Sequence, residues 1–212
     1  KLRELYRSGL EFDVVHSPNW DTEGLALLRS AVYPVVVVIA TPLAQTIVSE
    51  GWELTDELKL SVVLEKWHVQ QADFVCSPSQ GVWATYEDLL GIPRAAMQQW
   101  EVVNQGIVPS APLKPRSPIP GHKRLLFVGR CETRKGAHTL LAVLPTLLSE
   151  FEDWECHLVG NNTITMSDGK TLKERFLEKH ARQPWLDRVV FHGSVTEAEL
   201  RNHYQNCELF VA

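Results

Sequence analysis

Leu125-Leu126-Phe127-Val128-Gly129-Arg130-Cys131-Glu132-Thr133-Arg134-Lys135-Gly136 is the stretch from which the fold can be read. Four apolar residues end at a glycine, and a short polar turn with three cations follows. Beyond it runs a broad apolar stripe of Leu140, Leu141, Val143, Leu144, Leu147 and Leu148. The order is strand over 124–129, loop, then helix over 135–151. A strand apolar on both faces belongs in a parallel sheet covered by helices. Pro145 lies inside the helical stretch, removes a backbone bond and predicts a kink or a shortened helix.

The same alternation extends in both directions. Strand candidates lie at 13–16, 34–40, 73–77 and 101–104 upstream, and at 155–160, 188–192 and 207–211 downstream. Val35-Val36-Val37-Val38-Ile39 is the clearest of them. Further helix candidates cover 55–71, with Leu58, Val62, Trp67 and Val69, and a segment starting near Thr196. Thr196-x-x-Glu199 reads as a capping box, overlapped by Ser194-x-x-Glu197, so that start stays open by two residues. Repeated strand–helix–strand order means an α/β chain with right-handed crossovers. It breaks once, where Pro109, Pro112, Pro115, Pro118 and Pro120 cluster. Proline at that density suits an extended connector. The domain expectation is therefore a unit over 1–108, a linker over 109–123 and a second unit over 124–212. The chain opens at Lys1 without Met and stops in a strand-like run, so both units read as incomplete.

Bulk properties narrow the function. The 212 residues are 44% hydrophobic and 22% charged with net charge −5, an ordinary globular balance. No basic run could neutralise several phosphates of a nucleic acid, so nucleic acid is not an expected partner. Cys76, Cys131, Cys156 and Cys207 form no Cys-x-x-Cys pair and read as reduced thiols of a cytoplasmic protein. The longest apolar run, 34–40, is far too short to span a bilayer. None of the eight histidines falls in a His-x-x-x-His or His-Glu-x-x-His spacing, so no metal site is expected. Asp21 and Glu23 read as solvated loop carboxylates, and no general base is assigned.

The cationic turn carries the chemistry. Arg130, Arg134 and Lys135 crowd a helix start, where each cation costs about 0.3–1 kcal/mol at low salt. A bound phosphate reverses that sign, because backbone N–H groups, dipole and side chains then act together. On charge pattern alone, solvated surface cations are an equally good reading. The turn follows a parallel strand at its carboxyl end, where open α/β sheets bind ligands. Gly129 lets a ligand approach the backbone closely. The same cations could lower the thiol pKa of Cys131, although an incidental loop cysteine is the preferred reading.

Phe127-Val128-Gly129-Arg130-x4-Lys135-Gly136 resembles the phosphate-binding start of the C-terminal domain of family 4 glycosyltransferases. His157-Leu158-Val159-Gly160 and Val189-Val190-Phe191-His192-Gly193 are similar to the family's next two strands and turns, followed by Glu199-Leu200 and Tyr204. Cys207-Glu208-Leu209-Phe210-Val211 resembles the strand leading to its acidic nucleotide-binding motif. Upstream, residues 72–79 and Val102-Val103-Asn104-Gln105-Gly106-Ile107 look like the closing strands of its N-terminal domain. The resemblance implies a GT-B architecture: two Rossmann-like units with parallel sheets facing each other across a cleft. It implies retaining, metal-independent sugar transfer from a nucleotide-sugar, with no cofactor. Arg130 and Lys135 would be catalytic, holding the donor diphosphate as charge builds on it. Gly129, Gly160, His192 and Gly193 would complete the donor site. The acceptor would be a glycan, a lipid-linked molecule or a small molecule, with the protein cytoplasmic or peripheral at the inner face of a membrane.

Three departures accompany the resemblance. The acidic pair expected after Ala212 and the glycine-rich loop expected before Lys1 lie outside the sequence, so this fragment is expected to be inactive alone. Ala40 stands before Thr41-Pro42, where many members carry histidine. The alternatives are therefore a degenerate carbohydrate- or nucleotide-binding module and a sugar-nucleotide epimerase of the same fold. Trp67 and Trp154 read as core residues. For Trp20 and Trp52, stacking on a sugar ring is the less favoured of two readings, as is contact of His16 with an acceptor.

Overall fold

A computed structural model describes residues 4, 7–9, 11–30, 33–97, 99–106 and 123–212. The chain divides into two compact units: Lys1–Val48 with Glu53–Val108, and Ser49–Trp52 with Pro109–Ala212. Residues 109–122 of the expected linker lie outside the described residues.

The first unit is built on four parallel strands, β1 (Val15–Pro18), β2 (Val35–Val38), β3 (Phe74–Ser77) and β4 (Trp100–Val102). They lie in the order β1-β2-β3-β4. Helices α1 (Leu25–Ser30), α2 (Leu43–Glu50), α3 (Asp56–Gln70) and α4 (Gln80–Leu90) connect them. Val35, Val37, Ile39 and Val75 are fully buried, as the unbroken apolar run demands. Trp83 of α4 stacks on Trp100 at 5.5 Å and closes the core beside Ile92.

The second unit has β5 (Lys123–Val128), β6 (Trp154–Val159), β7 (Val189–Gly193) and β8 (Leu209–Val211), all parallel, in the order β7-β6-β5-β8. Helices α5 (Ala137–Glu150), α6 (Leu172–His180) and α7 (Glu197–Gln205) complete it. One sheet face, with Leu125, Phe127, Cys156, Leu158 and Val189, packs on Leu141, Leu144 and Leu148 of α5 and Phe176 of α6. The α/β class with two Rossmann-like parallel sheets is as the sequence implied. Among the described residues, no helix is long and apolar enough to cross a membrane.

All eight strand candidates are strands, displaced by at most two residues at an end. Three details differ from expectation. Helix α5 runs through Pro145. Burial of Leu141, Leu144 and Leu148, worth about 1.5–3 kcal/mol each, outweighs the roughly 3 kcal/mol cost of an interior proline. Trp67 is 36% exposed, because α3 turns Glu65, His68 and Val69 inward instead. Helices α1, α2, α4 and α6, of 6, 8, 11 and 9 residues, are not among the helix candidates.

The Thr196–Glu199 box does cap α7, and a second box, Thr171 with Glu174, caps α6. Thr171 Oγ1 accepts from Glu174 N–H at 3.2 Å, while the Glu174 carboxylate accepts from Thr171 N–H at 2.8 Å. Thr171→Ala is expected to cost about 0.5–2 kcal/mol, read as a lowered urea midpoint with an unchanged slope.

Candidate functional site

In the second unit the strand order reverses between β5 and β8, with β6 and β7 on one side and β8 on the other. An open α/β sheet has a crevice at the carboxyl ends of its strands at such a switch point. The turn after β5 stands there. It leaves the strand at Gly129, forms a short 3-10 turn at Thr133–Lys135, and enters α5 through Gly136, whose φ of 75° suits glycine.

Three glycines end three neighbouring strands in a row. Gly129 N–H donates to the Val159 carbonyl (2.9 Å), Cys131 N–H to Asn161 (2.8 Å), and Gly160 N–H to Gly193 (2.8 Å). Gly160 meets the loop backbone so closely that a Cβ there would lie 2.0 Å from the Gly129 oxygen and 3.1 Å from Arg130 N. Gly129, Gly160 and Gly193 thus form a bare rim beside the loop.

The loop's cations are held by one acid. Glu132, only 3% exposed, pairs with Arg134 at 2.8 Å and with Arg130 at 3.1 Å. The Arg130 side chain nevertheless stays 48% exposed, and Lys135 is exposed and makes no ion pair with a described residue. A Cβ at Gly129 would lie 4.0 Å from the Lys135 Cβ. The amides of Thr133 and Arg134 are already engaged: within the second unit they donate to the buried Glu50 carboxylate at 3.2 and 3.0 Å. These amides are therefore taken by a carboxylate of the chain, not left for the phosphate that the sequence reading set against them. A phosphate at this loop would meet the Arg130 and Lys135 side chains and the glycine rim.

Two residues are placed otherwise than the sequence suggested. Cys131 turns into the core, and burial pushes its thiol up to about 11 against a weaker lowering by Lys173. The His192 ring does not stand alone on the rim, because its Nε2 lies 2.9 Å from Nδ1 of His157.

The first unit contributes a cavity of about 320 Å³ lined by Trp20, Asp21, Thr22, Leu43, Leu58 and Ser61. Asp21 and Thr22 both take left-handed backbone angles, φ 55° and 50°, which cost non-glycine residues about 1–2 kcal/mol each. Beneath them a buried network ties the strand ends together. Asn19 Nδ2 donates to Glu65 Oε1, and its Oδ1 accepts from Ala40 N–H at 2.8 Å. Leu43 N–H and the Tyr86 hydroxyl donate to the same carboxylate at 2.9 and 3.1 Å. Burial raises the Glu65 pKa against these hydrogen bonds. Trp20 lies partly exposed at this cavity, and His16 is exposed on β1. Trp52 Nε1 donates to Thr165 in the second unit.

His68, fully buried beside this network, has its pKa lowered by burial. Its neutral form is the one folded, so the stability it lends is complete above the ordinary histidine value near 6.5 and declines as pH falls below it. Glu65, shifted upward, has the opposite sign: its contribution is complete below about 4.5 and declines as pH rises. The urea midpoint is expected to drop between pH 7 and 5.5, and to drop less in His68→Gln.

Residues 122–212 match the family model of glycosyl transferases group 1. The glycosyltransferase resemblance read from the sequence is thereby borne out. A glycogen synthase of Mycobacterium tuberculosis is 25% identical over 190 residues, covering 89% of this chain and 43% of the relative. The chain thus spans less than half of that protein. Among solved structures, sucrose-phosphate synthase from Thermosynechococcus elongatus superposes with a TM-score of 0.63 at 20% identity, covering 98% of this chain and 52% of the other. Anabaena HepE in complex with UDP-glucose gives 0.64 at 15% identity, covering 99% and 55%. These likenesses carry the fold.

Of the site residues expected from the sequence, the structure brings Gly129, Gly160 and Gly193 and the turn with Arg130 and Lys135 to one edge of one sheet. The sequence reading missed Glu132 as the anchor of both arginines. An acid two residues from each of two arginines was the available signal.

Proposed function

We propose that the whole protein transfers a sugar from a nucleotide-diphosphate-sugar to an acceptor, with retention of configuration and without a metal in the transfer step. The observation that carries this reading is the pair of exposed cations, Arg130 and Lys135, on the turn at the switch point, next to a rim of three glycines. Glu132 fixes Arg130 from below and leaves its guanidinium open to an anion. As the bond from sugar to phosphate lengthens, negative charge grows on the departing diphosphate. Cations already oriented there stabilise that charge without reorganising. The glycine rim admits the nucleotide against the backbone. The UDP-glucose of the Anabaena relative supports a UDP-sugar as donor. Retention rests on the family resemblance. The acceptor class proposed is a glycan, lipid-linked molecule or small molecule.

The test is to incubate the full-length protein with UDP- and ADP-sugars, with and without candidate acceptors, and measure free nucleoside diphosphate. Acceptor-dependent release is the expected result. Isomerised donor without release would establish an epimerase instead, and tight nucleotide binding without turnover a binding module.

A further inference from the structure

Three histidines converge in the second unit, one of them His192 at the end of the glycine rim. His157 comes from β6, His192 from the end of β7 and His203 from α7, and one ring nitrogen of each lies within 4.8 Å of the others. The rings of His192 and His203 meet edge to face at 4.4 Å, and those of His157 and His192 at 4.9 Å. They occupy the sheet face opposite the apolar core, since His157 alternates with the core residues Cys156 and Leu158. From this convergence we infer a binding site for a zinc-class divalent cation, with His157, His192 and His203 as its three protein ligands.

The surroundings of His157 favour this over mere packing. Its Nε2 lies 3.0 Å from Glu155 Oε1, and that carboxylate is in turn held by Arg124 at 2.9 Å. His157 Nε2 makes no aligned hydrogen bond but faces this carboxylate, and a proton on that nitrogen leaves Nδ1 as a lone pair towards His192 Nε2. A carboxylate beside the outer nitrogen of a ligating histidine favours that tautomer. A second observation concerns His203, whose Nδ1 is buried with no hydrogen-bond partner among the described residues. Three imidazoles without thiolates suit zinc, with a fourth position left to solvent.

Geometry is within reach. Tetrahedral zinc with bonds of 2.0–2.1 Å places ligand nitrogens about 3.3 Å apart. The 2.9 Å separation of His192 Nε2 and His157 Nδ1 would open by a few tenths of an ångström. In the metal-free state that pair is a hydrogen bond, so binding requires His192 to move its proton to Nδ1. Access is from the His192 side, the exposed member of the three, while His157 and His203 are the buried ones. The site would join β6, β7 and α7 just below Gly193, bracing the glycine rim. Sequence spacing could not reveal it, since the ligands lie on three separate elements.

The test is calorimetric titration of zinc sulfate into the EDTA-stripped, dialysed protein. One zinc per chain is expected, with affinity lost beyond about 100-fold in His203→Gln and in His192→Gln. Glu155→Gln should lose about 10–100-fold, the usual consequence of removing a ligand's outer partner. His16→Gln, at an exposed site, should bind as the parent does, and zinc should raise the unfolding temperature of the parent but not of His203→Gln. Circular dichroism establishes that each variant is folded, and either ligand variant alone suffices. Absence of stoichiometric binding overturns the site. So does binding that persists in both folded ligand variants.

Discussion

Alanine at Arg130 or at Lys135 is expected to slow sugar transfer by roughly 10²–10³-fold each, the usual loss when one group stabilising a developing anion is removed. Lys135 is exposed and makes no ion pair with a described residue, so its loss should shift stability by no more than about 0.5 kcal/mol. Loss of Arg130 leaves buried Glu132 to Arg134 alone and should cost up to about 1 kcal/mol. The two effects should not multiply fully, because both groups serve one diphosphate. Arg130→Lys should recover only part of the rate, since an ammonium cannot reproduce the planar fork that pairs with Glu132 and phosphate together. Steady-state release of nucleoside diphosphate by the full-length protein measures this. Parental rates in both alanine variants would remove the proposed mechanism.

The second large effect concerns stability. Gly160→Ala puts a methyl group 2.0 Å from the Gly129 oxygen at a φ of 140°, which L residues rarely adopt. Backbone strain of about 1–3 kcal/mol adds to overpacking of about 1–3 kcal/mol, so a loss of roughly 2–6 kcal/mol is expected. The clash is with backbone, which cannot rotate away as a side chain would. Gly193→Ala is the comparison: its φ is 70° but its Cβ would meet open space, so only the left-handed cost of about 1–2 kcal/mol applies. Urea unfolding of the two variants should therefore separate by about 2–3 kcal/mol at the centres of these ranges. Equal midpoints would mean that β5 and β6 do not approach as described.

The strands were legible because burial on both faces leaves a run such as Val35 to Ile39 with no polar alternative. Their order was not: nothing local in β8 says that it pairs with β5 rather than with β7, so the switch point appears only in the fold. The cationic turn was legible as a glycine followed by spaced cations. Its buried side was not. Neighbouring cations left a lowered thiol pKa at Cys131 as the less favoured reading, but charge proximity along the chain says nothing of direction, and the thiol points into the apolar core. Helix α6 escaped notice because Phe176 is its one buried residue, leaving no apolar stripe to count.

Calorimetric titration of UDP into the parent protein and into the Arg130→Ala, Lys135→Ala double variant tests the central claim most directly, because it needs no acceptor. The account predicts saturable binding to the parent, weakened at least about 10-fold in the double variant at low salt, as expected when two charge-assisted contacts to phosphate are lost. Equal affinity in the two proteins would place the diphosphate elsewhere and contradict it.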